Sequence, residues 1–210
     1  MAAMDDIVKQ ALAKWPNVPH CHGWLGLDAR GNWFLRDDRT QAAGPFPAEK
    51  GSMLRHDKLI DFIHRNYAPD DEGRWFFQNG PQRVYVELEA APWIWRVDED
   101  FRIVSHTGVA VAGPAVAGAA GDAEKAGAIG ASGTDEAPAP AVTVLLDEAG
   151  RLYVATSIGL GLVHSQDVGL AADAIEQGRW PAPEEVKAAD LPMRFGHVLS
   201  PAAHHAATRA

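Results

Sequence analysis

The sequence predicts an α+β fold in which two related turn-strand units carry short, mainly antiparallel sheets and a few helices. The first indication is a pattern of Asp, two variable residues, Gly, one polar residue and three large apolar residues, which occurs at 28–35, 70–77 and 147–154. The second is the alternation of apolar and polar residues over 83–89, which is typical of a half-buried strand. The third is the helical spacing of apolar residues over 55–67.

The repeated pattern predicts a tight turn followed by a strand. The Asp side chain can accept a hydrogen bond from a backbone N–H two residues further on, and the Gly supplies the positive φ that closes the turn. We therefore expect a positive φ at Gly31, Gly73 and Gly150. Residues 144–154 align without a gap on residues 25–35, so the same turn-strand unit is expected twice.

The remaining elements follow from local spacing and from breaker residues. The apolar face over 5–15 predicts a helix that ends at a proline, and the Gly-Pro-Phe-Pro run predicts a loop over 36–50. Two short strands are expected around the acidic turn at 98–100, and short helices are expected at 169–178 and 183–188.

The composition of residues 108–141 divides the chain. This segment is nearly all Ala, Gly, Val and Pro, and it lacks the large apolar side chains that would offset its ordering entropy. We expect an N-terminal α+β domain at 1–107, a flexible linker or insertion at 108–141, a smaller α+β domain at 142–200 and a frayed tail at 201–210.

Composition excludes some classes of partner. The chain has 210 residues, of which 47% are hydrophobic and 22% charged, and a net charge of −9. An acidic chain is a poor ligand for phosphate backbones and offers no polybasic anchor for anionic lipid, so neither a nucleic acid nor a membrane is expected as a partner. Met1 to Asp6 lacks a basic region followed by an apolar run, so a cytoplasmic location is expected. Cys21, the sole cysteine, allows no intrachain disulfide.

No catalytic motif stands out. His20-Cys21-His22 resembles part of a metal site, but no second ligand pair accompanies it, so a structural role is favoured and neither a metal nor a cofactor is expected. Gly159-Leu160-Gly161 lacks the third glycine of a dinucleotide loop and is interpreted as a turn. Glu87 and Glu89 are either an acid/base pair or part of a solvated strand face. The solvated face is the favoured interpretation.

The motifs between residues 23 and 97 resemble those of an uncharacterised proteobacterial family, a domain of unknown function. The resemblance is carried by five segments: Gly26-x-Asp28 with Gly31-x-Trp33, Gly51 to Arg55, Gly73-x-Trp75, Asn79 to Arg83, and Val86 to Trp93. Members of that family have repeated α+β motifs in a two-domain chain. The resemblance implies small-ligand binding in signal transduction, with no established enzymatic activity.

Polar and aromatic residues of these segments form the predicted ligand site. Two guanidinium groups at segment starts suit a carboxylate or a phosphate, so a small anionic metabolite is the expected ligand. An aromatic wall is expected after Pro92, because proline fixes the local backbone. The candidate residues are Ser52, Arg55, Asn79, Arg83, Trp93 and Trp95. The alternative is that the arginines pair with nearby acids and the tryptophans fill the core.

The predicted function is a small-ligand-binding or regulatory module. An enzyme of an unrecognised hydrolase type and a protein-interaction module are the alternatives. An apolar pocket with converging polar groups would favour binding. A perturbed acid or histidine beside a nucleophile would favour an enzyme, and a flat exposed Trp patch would favour interaction.

Overall fold

The computed structural model describes residues 10, 13, 14, 18–111 and 143–209. Within this part of the chain the predicted α+β class is confirmed, with strands arranged in two sheets that are mainly antiparallel. Most of the predicted helix over 5–15 and of the predicted linker over 108–141 lies outside the described residues.

The first sheet has the strand order β3-β2-β1-β6-β5-β4. Its neighbours are antiparallel except for β1 and β6, which run parallel. Its strands are β1 (Cys21–Leu27), β2 (Trp33–Leu35), β3 (Ser52–Met53), β4 (Tyr67–Pro69), β5 (Trp75–Asn79) and β6 (Gln82–Leu88).

The second sheet has the order β13-β10-β11-β12-β7-β8-β9. Its parallel pairs are β10 with β13 and β12 with β7. Its strands are β7 (Trp93–Val97), β8 (Ile103–Ser105), β9 (Ala110–Val111), β10 (Thr143–Asp147), β11 (Leu152–Thr156), β12 (Gly159–Val163) and β13 (Glu184–Val186).

The helices are short and connect or cover the strands. In chain order they are α1 (Asp38–Ala43), α2 (Asp57–Arg65), α3 (Val168–Glu176), the 3₁₀ turn Ala188–Asp190, α4 (Leu191–Phe195) and α5 (Pro201–Arg209). The helices α2 and α3 confirm those expected over 55–67 and 169–178.

The repeated turns have the predicted geometry. Gly31, Gly73 and Gly150 hold φ values of 80°, 76° and 74°. In the third copy, Asp147 Oδ1 accepts from the N–H groups of Ala149 and Arg151 at 3.0 and 2.8 Å. The same side-chain bonds recur in the first two copies. The three turns are therefore closed by the same backbone conformation.

The two aligned hairpins also share their register. Leu25 faces Leu35 across β1 and β2, and Val144 faces Val154 across β10 and β11. These pairs occupy equivalent positions in the alignment of 25–35 with 144–154. The aligned hairpin thus occurs once in each sheet, where its first strand also pairs with a parallel strand on its other side.

The main core lies where residues of the two sheets meet. It joins Leu25, Trp33 and Val86 of the first sheet with Trp95 and Val154 of the second. A smaller cluster, which includes Ile94, Tyr153 and Leu160, packs with Leu191 of α4.

Several sequence-based expectations were wrong where tertiary contacts or caps dominate. The predicted loop over 36–50 contains α1, because Asp37 Oδ1 accepts from the N–H of Thr40 at 2.8 Å and caps the helix. The predicted helix over 183–188 is instead β13, which pairs with β10. The predicted frayed tail forms α5 over Pro201–Arg209, because β6 anchors its first turn: Glu87 Oε1 accepts from the N–H of Ala202 at 3.0 Å.

The glycine pair interpreted as a turn lies in β12 instead. A Cβ atom on Gly161 would lie 2.2 Å from Nε1 of Trp95, and one on Gly159 would lie 3.4 Å from Nε1 of Trp93. Gly161 is therefore needed to let the indole of Trp95 pack across the neighbouring strand, whereas a Cβ atom on Gly159 would make an ordinary van der Waals contact.

The two sheets divide the chain differently from the predicted domains. The second sheet takes β7, β8 and β9 from before residue 112 and β10 to β13 from after residue 142. Residues 93–107, assigned from sequence to the N-terminal domain, thus contribute strands to the sheet of the C-terminal half.

Candidate functional site

A cavity of about 290 Å³ lies between the two sheets. Both sheets supply its walls: α2, β4 and β5 from one side, and β7 with the turns after β8 and β11 from the other. Its lining residues are His64, Tyr67, Ala68, Pro69, Trp75, Trp93, Thr107, Val109, Ser157 and Ile158. Because the described residues of this lining include no Asp, Glu, Lys or Arg, the cavity suits a mainly apolar molecule.

Three buried aromatic side chains form the inner wall. The ring centroids of Tyr67 and Trp75 are 4.7 Å apart, and those of Trp75 and Trp93 are 5.0 Å apart. Two of the three polar atoms are already bonded, since Tyr67 Oη donates to the carbonyl of Pro92 at 3.0 Å and Trp93 Nε1 donates to that of Ile158 at 2.8 Å. The rings of Tyr67 and Trp93 are therefore held in fixed positions and present apolar surface to the cavity.

His64 and Tyr67 are the titratable side chains of the described lining, and His64 is the one whose ordinary pKa lies near neutral pH. Its Nε2 accepts a hydrogen bond from Trp33 Nε1 at 3.0 Å. Burial lowers the pKa of His64, although Asp61 acts in the opposite direction. The ring is thus neutral at pH 7, and with Nε2 acting as acceptor it carries its proton on Nδ1. His64 can offer that N–H to a ligand.

His106 packs against the aromatic side chains of the inner wall. Its Nδ1 accepts from the N–H of Ile94 at 3.2 Å, and its ring centroid lies 5.7 Å from those of His64 and Trp33. Its Nε2 is buried, and no group of the described residues bonds to it. Burial, followed by the proximity of His64, lowers the pKa of His106 to about 3. The pair of histidines is therefore uncharged at neutral pH.

The structure does not bring the predicted site residues together. Ser52 lies on the edge strand β3, and Arg55 is exposed just before α2. Asn79 and Arg83 flank the β5–β6 turn, which is separated from β3 by two intervening strands of the sheet. The guanidinium of Arg83 lies 4.5 Å from the ring centroid of Phe76.

The two predicted tryptophans have different surroundings. Trp93 lines the cavity. Trp95 is completely buried, and its Nε1 donates to the carbonyl of Val154 at 2.8 Å.

Little in the sequence pointed to the other cavity residues. His64 directly follows the buried Ile63 on α2, a position at which a histidine is ordinarily part of a solvated face. Thr107 and Ser157 lie in turns, where both residue types are common for local reasons. Only the aromatic wall predicted after Pro92 indicated that aromatic side chains would meet here.

Neither a metal centre nor a membrane span emerges from the described residues. In residues 18–111 and 143–209, no three His, Cys, Asp or Glu side chains are grouped so that they could hold a metal ion. No helix in that part of the chain combines the length and apolar character required to cross a bilayer.

Two solved structures share similarity with this chain. One is a DUF1285 family protein from Silicibacter pomeroyi, 14% identical, with a TM-score of 0.43 over 81% of this chain and 85% of the other. The second is a DUF1285 family protein from Shewanella baltica, 12% identical, with a TM-score of 0.39 over 72% and 91% of the two chains.

Sequence comparison assigns the chain to a family. No curated protein matches it. The profile described as "Protein of unknown function (DUF2946)" matches residues 4–124, more than half of the chain. The chain therefore belongs to this family of proteins of unknown function.

Proposed function

We propose that this protein is a small-ligand-binding module and that its ligand occupies the cavity between the sheets. The observation that carries the proposal is the uncharged aromatic cavity of about 290 Å³, which is close to the lower end of the usual size of small-molecule sites. The ligand that fits is a small, largely apolar, planar molecule with one hydrogen-bond acceptor. The aromatic wall would contact its plane, and His64 Nδ1–H would bond its acceptor.

The location of the cavity supports a regulatory role for this binding. Tyr67 and Trp75 belong to the first sheet, whereas Trp93 and Ile158 belong to or adjoin strands of the second. A ligand that contacts both sheets would favour whichever arrangement of the sheets binds it better. Binding would therefore be communicated to surfaces on either sheet.

The alternative functions have less support in the described residues. His64 and His106 bond to N–H groups of Trp33 and Ile94, and within residues 18–111 and 143–209 neither is hydrogen-bonded to a hydroxyl or thiol that could act as a nucleophile. An interaction surface made of tryptophan is also not favoured. Trp24 is 44% exposed, whereas the other tryptophans of the described residues are buried.

The proposal can be tested by a thermal-shift screen of aromatic metabolites, followed by tryptophan fluorescence of the hits. A ligand that binds only the native state raises the melting temperature, and contact with Trp75 and Trp93 should change their emission. Ser157 is exposed and lines the cavity, so Ser157→Phe should obstruct the opening without entering the core.

The matched control is Ser165→Phe, which places the same side chain at an exposed turn residue outside the lining. We expect hits to lose their effect in Ser157→Phe and to retain it in Ser165→Phe. Hits that stabilise all three proteins equally would contradict binding in this cavity.

A further inference from the structure

A second concave site lies where α5 rests on β1 and β6. It has a volume of about 300 Å³, and its lining is mainly basic and aromatic: Pro19, His20, His22, Arg74, Tyr85, His205 and Arg209. It differs from the cavity between the sheets in its chemistry, because five of these seven side chains carry or can acquire a positive charge.

Ring stacking holds the histidines of this basic pocket in place. The ring of His22 stacks on Tyr85 with centroids 4.5 Å apart, and His205 stacks on the other side of His22 at 4.2 Å. His20 approaches Tyr85 edge-on at 5.9 Å. The stack joins α5 to the sheet and places the imidazole rings of His22 and His205 face to face.

The acidic groups near the pocket are already engaged. Arg74 forms ion pairs of 2.7 Å with Asp70 and 3.2 Å with Glu72. Tyr85 Oη donates to the same Asp70 carboxylate at 3.0 Å. No carboxylate of the described residues pairs with Arg209.

The other side chains of the basic pocket place several basic groups close together. Burial lowers the pKa of His22 to about 4, and the neighbouring His205, Arg74 and His20 contribute to the shift. The charged and titratable groups around the pocket come from every element that forms it: His20 before β1, Asp70, Glu72 and Arg74 before β5, Arg83 and Tyr85 on β6, and His204, His205 and Arg209 on α5. An anion in the pocket would relieve this repulsion.

We propose that the basic pocket binds the phosphate or carboxylate group of a small molecule, with Arg209, His22 and His205 as its ligands. Arginine and protonated histidine form charge-assisted hydrogen bonds with such oxyanions. Because a bound anion favours the charged form of His22, binding takes up a proton. The affinity should therefore increase as the pH falls from 7.5 towards 5.5.

Sulfate is a suitable probe, because its charge stays constant over this pH range. Titration should shift the histidine ring NMR resonances of His22 and His205, and calorimetry should give an affinity about tenfold higher at pH 5.5 than at pH 7.5. Acetate, titrated in parallel, distinguishes a carboxylate ligand from a phosphate ligand. Comparable binding of acetate indicates a carboxylate, and selective binding of sulfate indicates a phosphate group. The proposal is overturned if neither anion shifts these resonances.

A matched pair of variants separates the pocket from general charge effects. Arg209→Gln should weaken sulfate binding about fivefold, as expected for the loss of one charge-assisted bond. Arg102→Gln removes the same charge from an exposed residue in the turn before β8 and should leave sulfate binding unchanged. Equal weakening by the two variants would show that the anion responds to net charge alone, and would refute the site.

Discussion

At the residue scale, the repeated turn depends on its hydrogen bonds more than on glycine. Asp98 forms the same bonds, accepting from the N–H groups of Asp100 and Arg102, although Phe101 occupies the glycine position with φ of 63°. Ser105 substitutes for the aspartate in a further copy that closes at Gly108. Neither turn matches the Asp-x-x-Gly pattern, because Phe101 replaces the glycine in one and Ser105 replaces the aspartate in the other. Both turns nevertheless keep the same hydrogen bonds.

The glycines of the repeat should differ in how well they tolerate a side chain. A Cβ atom on Gly73 would lie 2.2 Å from the carbonyl oxygen of Gly196, whereas one on Gly150 would have open space. Gly73→Ala should cost roughly 2–4 kcal/mol, because steric overlap adds to left-handed strain. Gly150→Ala should cost about 1 kcal/mol from strain alone. Urea unfolding of both variants provides the measurement, and equal costs would contradict this explanation.

At the element scale, one buried carboxylate holds the C-terminal helix on the first sheet. Glu87 of β6 accepts from Ser200 Oγ at 2.5 Å and from the N–H of Ala202 at 3.0 Å. Burial raises the pKa of Glu87, although these two bonds counteract part of that shift. Of the two interpretations weighed from sequence, the solvated face is thus wrong for Glu87. Glu89 instead forms an ion pair of 2.6 Å with Lys50.

Removing the Glu87 carboxylate should release α5. Glu87→Ala leaves the hydroxyl and the N–H group without their acceptor, which should cost roughly 1–3 kcal/mol. Glu87→Gln retains an acceptor oxygen and should cost less. Hydrogen exchange of the 201–209 amides should accelerate in the alanine variant and change little in the glutamine variant. Unchanged exchange in both would mean that other contacts hold the helix.

The contact between β7 and β12 provides a second test at this scale. Because the indole of Trp95 occupies the space beside Gly161, Gly161→Ala should destabilise the protein by roughly 1–3 kcal/mol through overpacking. A Cβ atom added to Gly169 of α3 would have no neighbour within 4 Å, so Gly169→Ala should stabilise the protein by about 0.5 kcal/mol through helix propensity. Thermal melts should therefore shift in opposite directions, and shifts in the same direction would contradict this account.

At the scale of the whole molecule, neutral histidines are buried where elements meet. His106 lies between the sheets with a pKa of about 3, and His197, which is 4% exposed, has a pKa lowered to about 4 by burial. In the unfolded chain both would have values near ~6.5. Between the folded and unfolded pKa values the unfolded state thus binds more protons than the folded state. The contribution of these histidines to stability is therefore fully present above pH ~6.5 and is lost as the pH falls towards 4.

We expect acid to destabilise the fold through these histidines. At pH 5 each should cost roughly 2 kcal/mol relative to pH 7.5. His106→Asn retains an acceptor for the Ile94 N–H but does not titrate, so its stability should depend less on pH over this interval. Chemical unfolding at pH 7.5 and 5 measures the difference. Parallel pH dependence in the two proteins would refute the assignment to His106.

The location of the candidate sites could not be predicted from the sequence. Arg55 and Arg83 belong to matching segments, yet Arg55 lies in the loop before α2, whereas Arg83 lies on β6, which is separated from β3 by two strands. His64, Trp75 and Trp93 come together because α2, β5 and β7 meet where the sheets face each other. Local patterns carry no information on which strand becomes the neighbour of another.

The sequence by itself determined the α+β class, the left-handed turns at Gly31, Gly73 and Gly150, and the shared register of the hairpins at 25–35 and 144–154. These features depend on residues close together in the chain, whose backbone preferences act locally. Tertiary structure alone decided that β7 joins the second sheet, that Gly161 lies in a strand and that residues 201–209 form a helix. Each of these outcomes depends on a distant partner, because burial beside Trp95 or a bond to Glu87 outweighs the weak local preference.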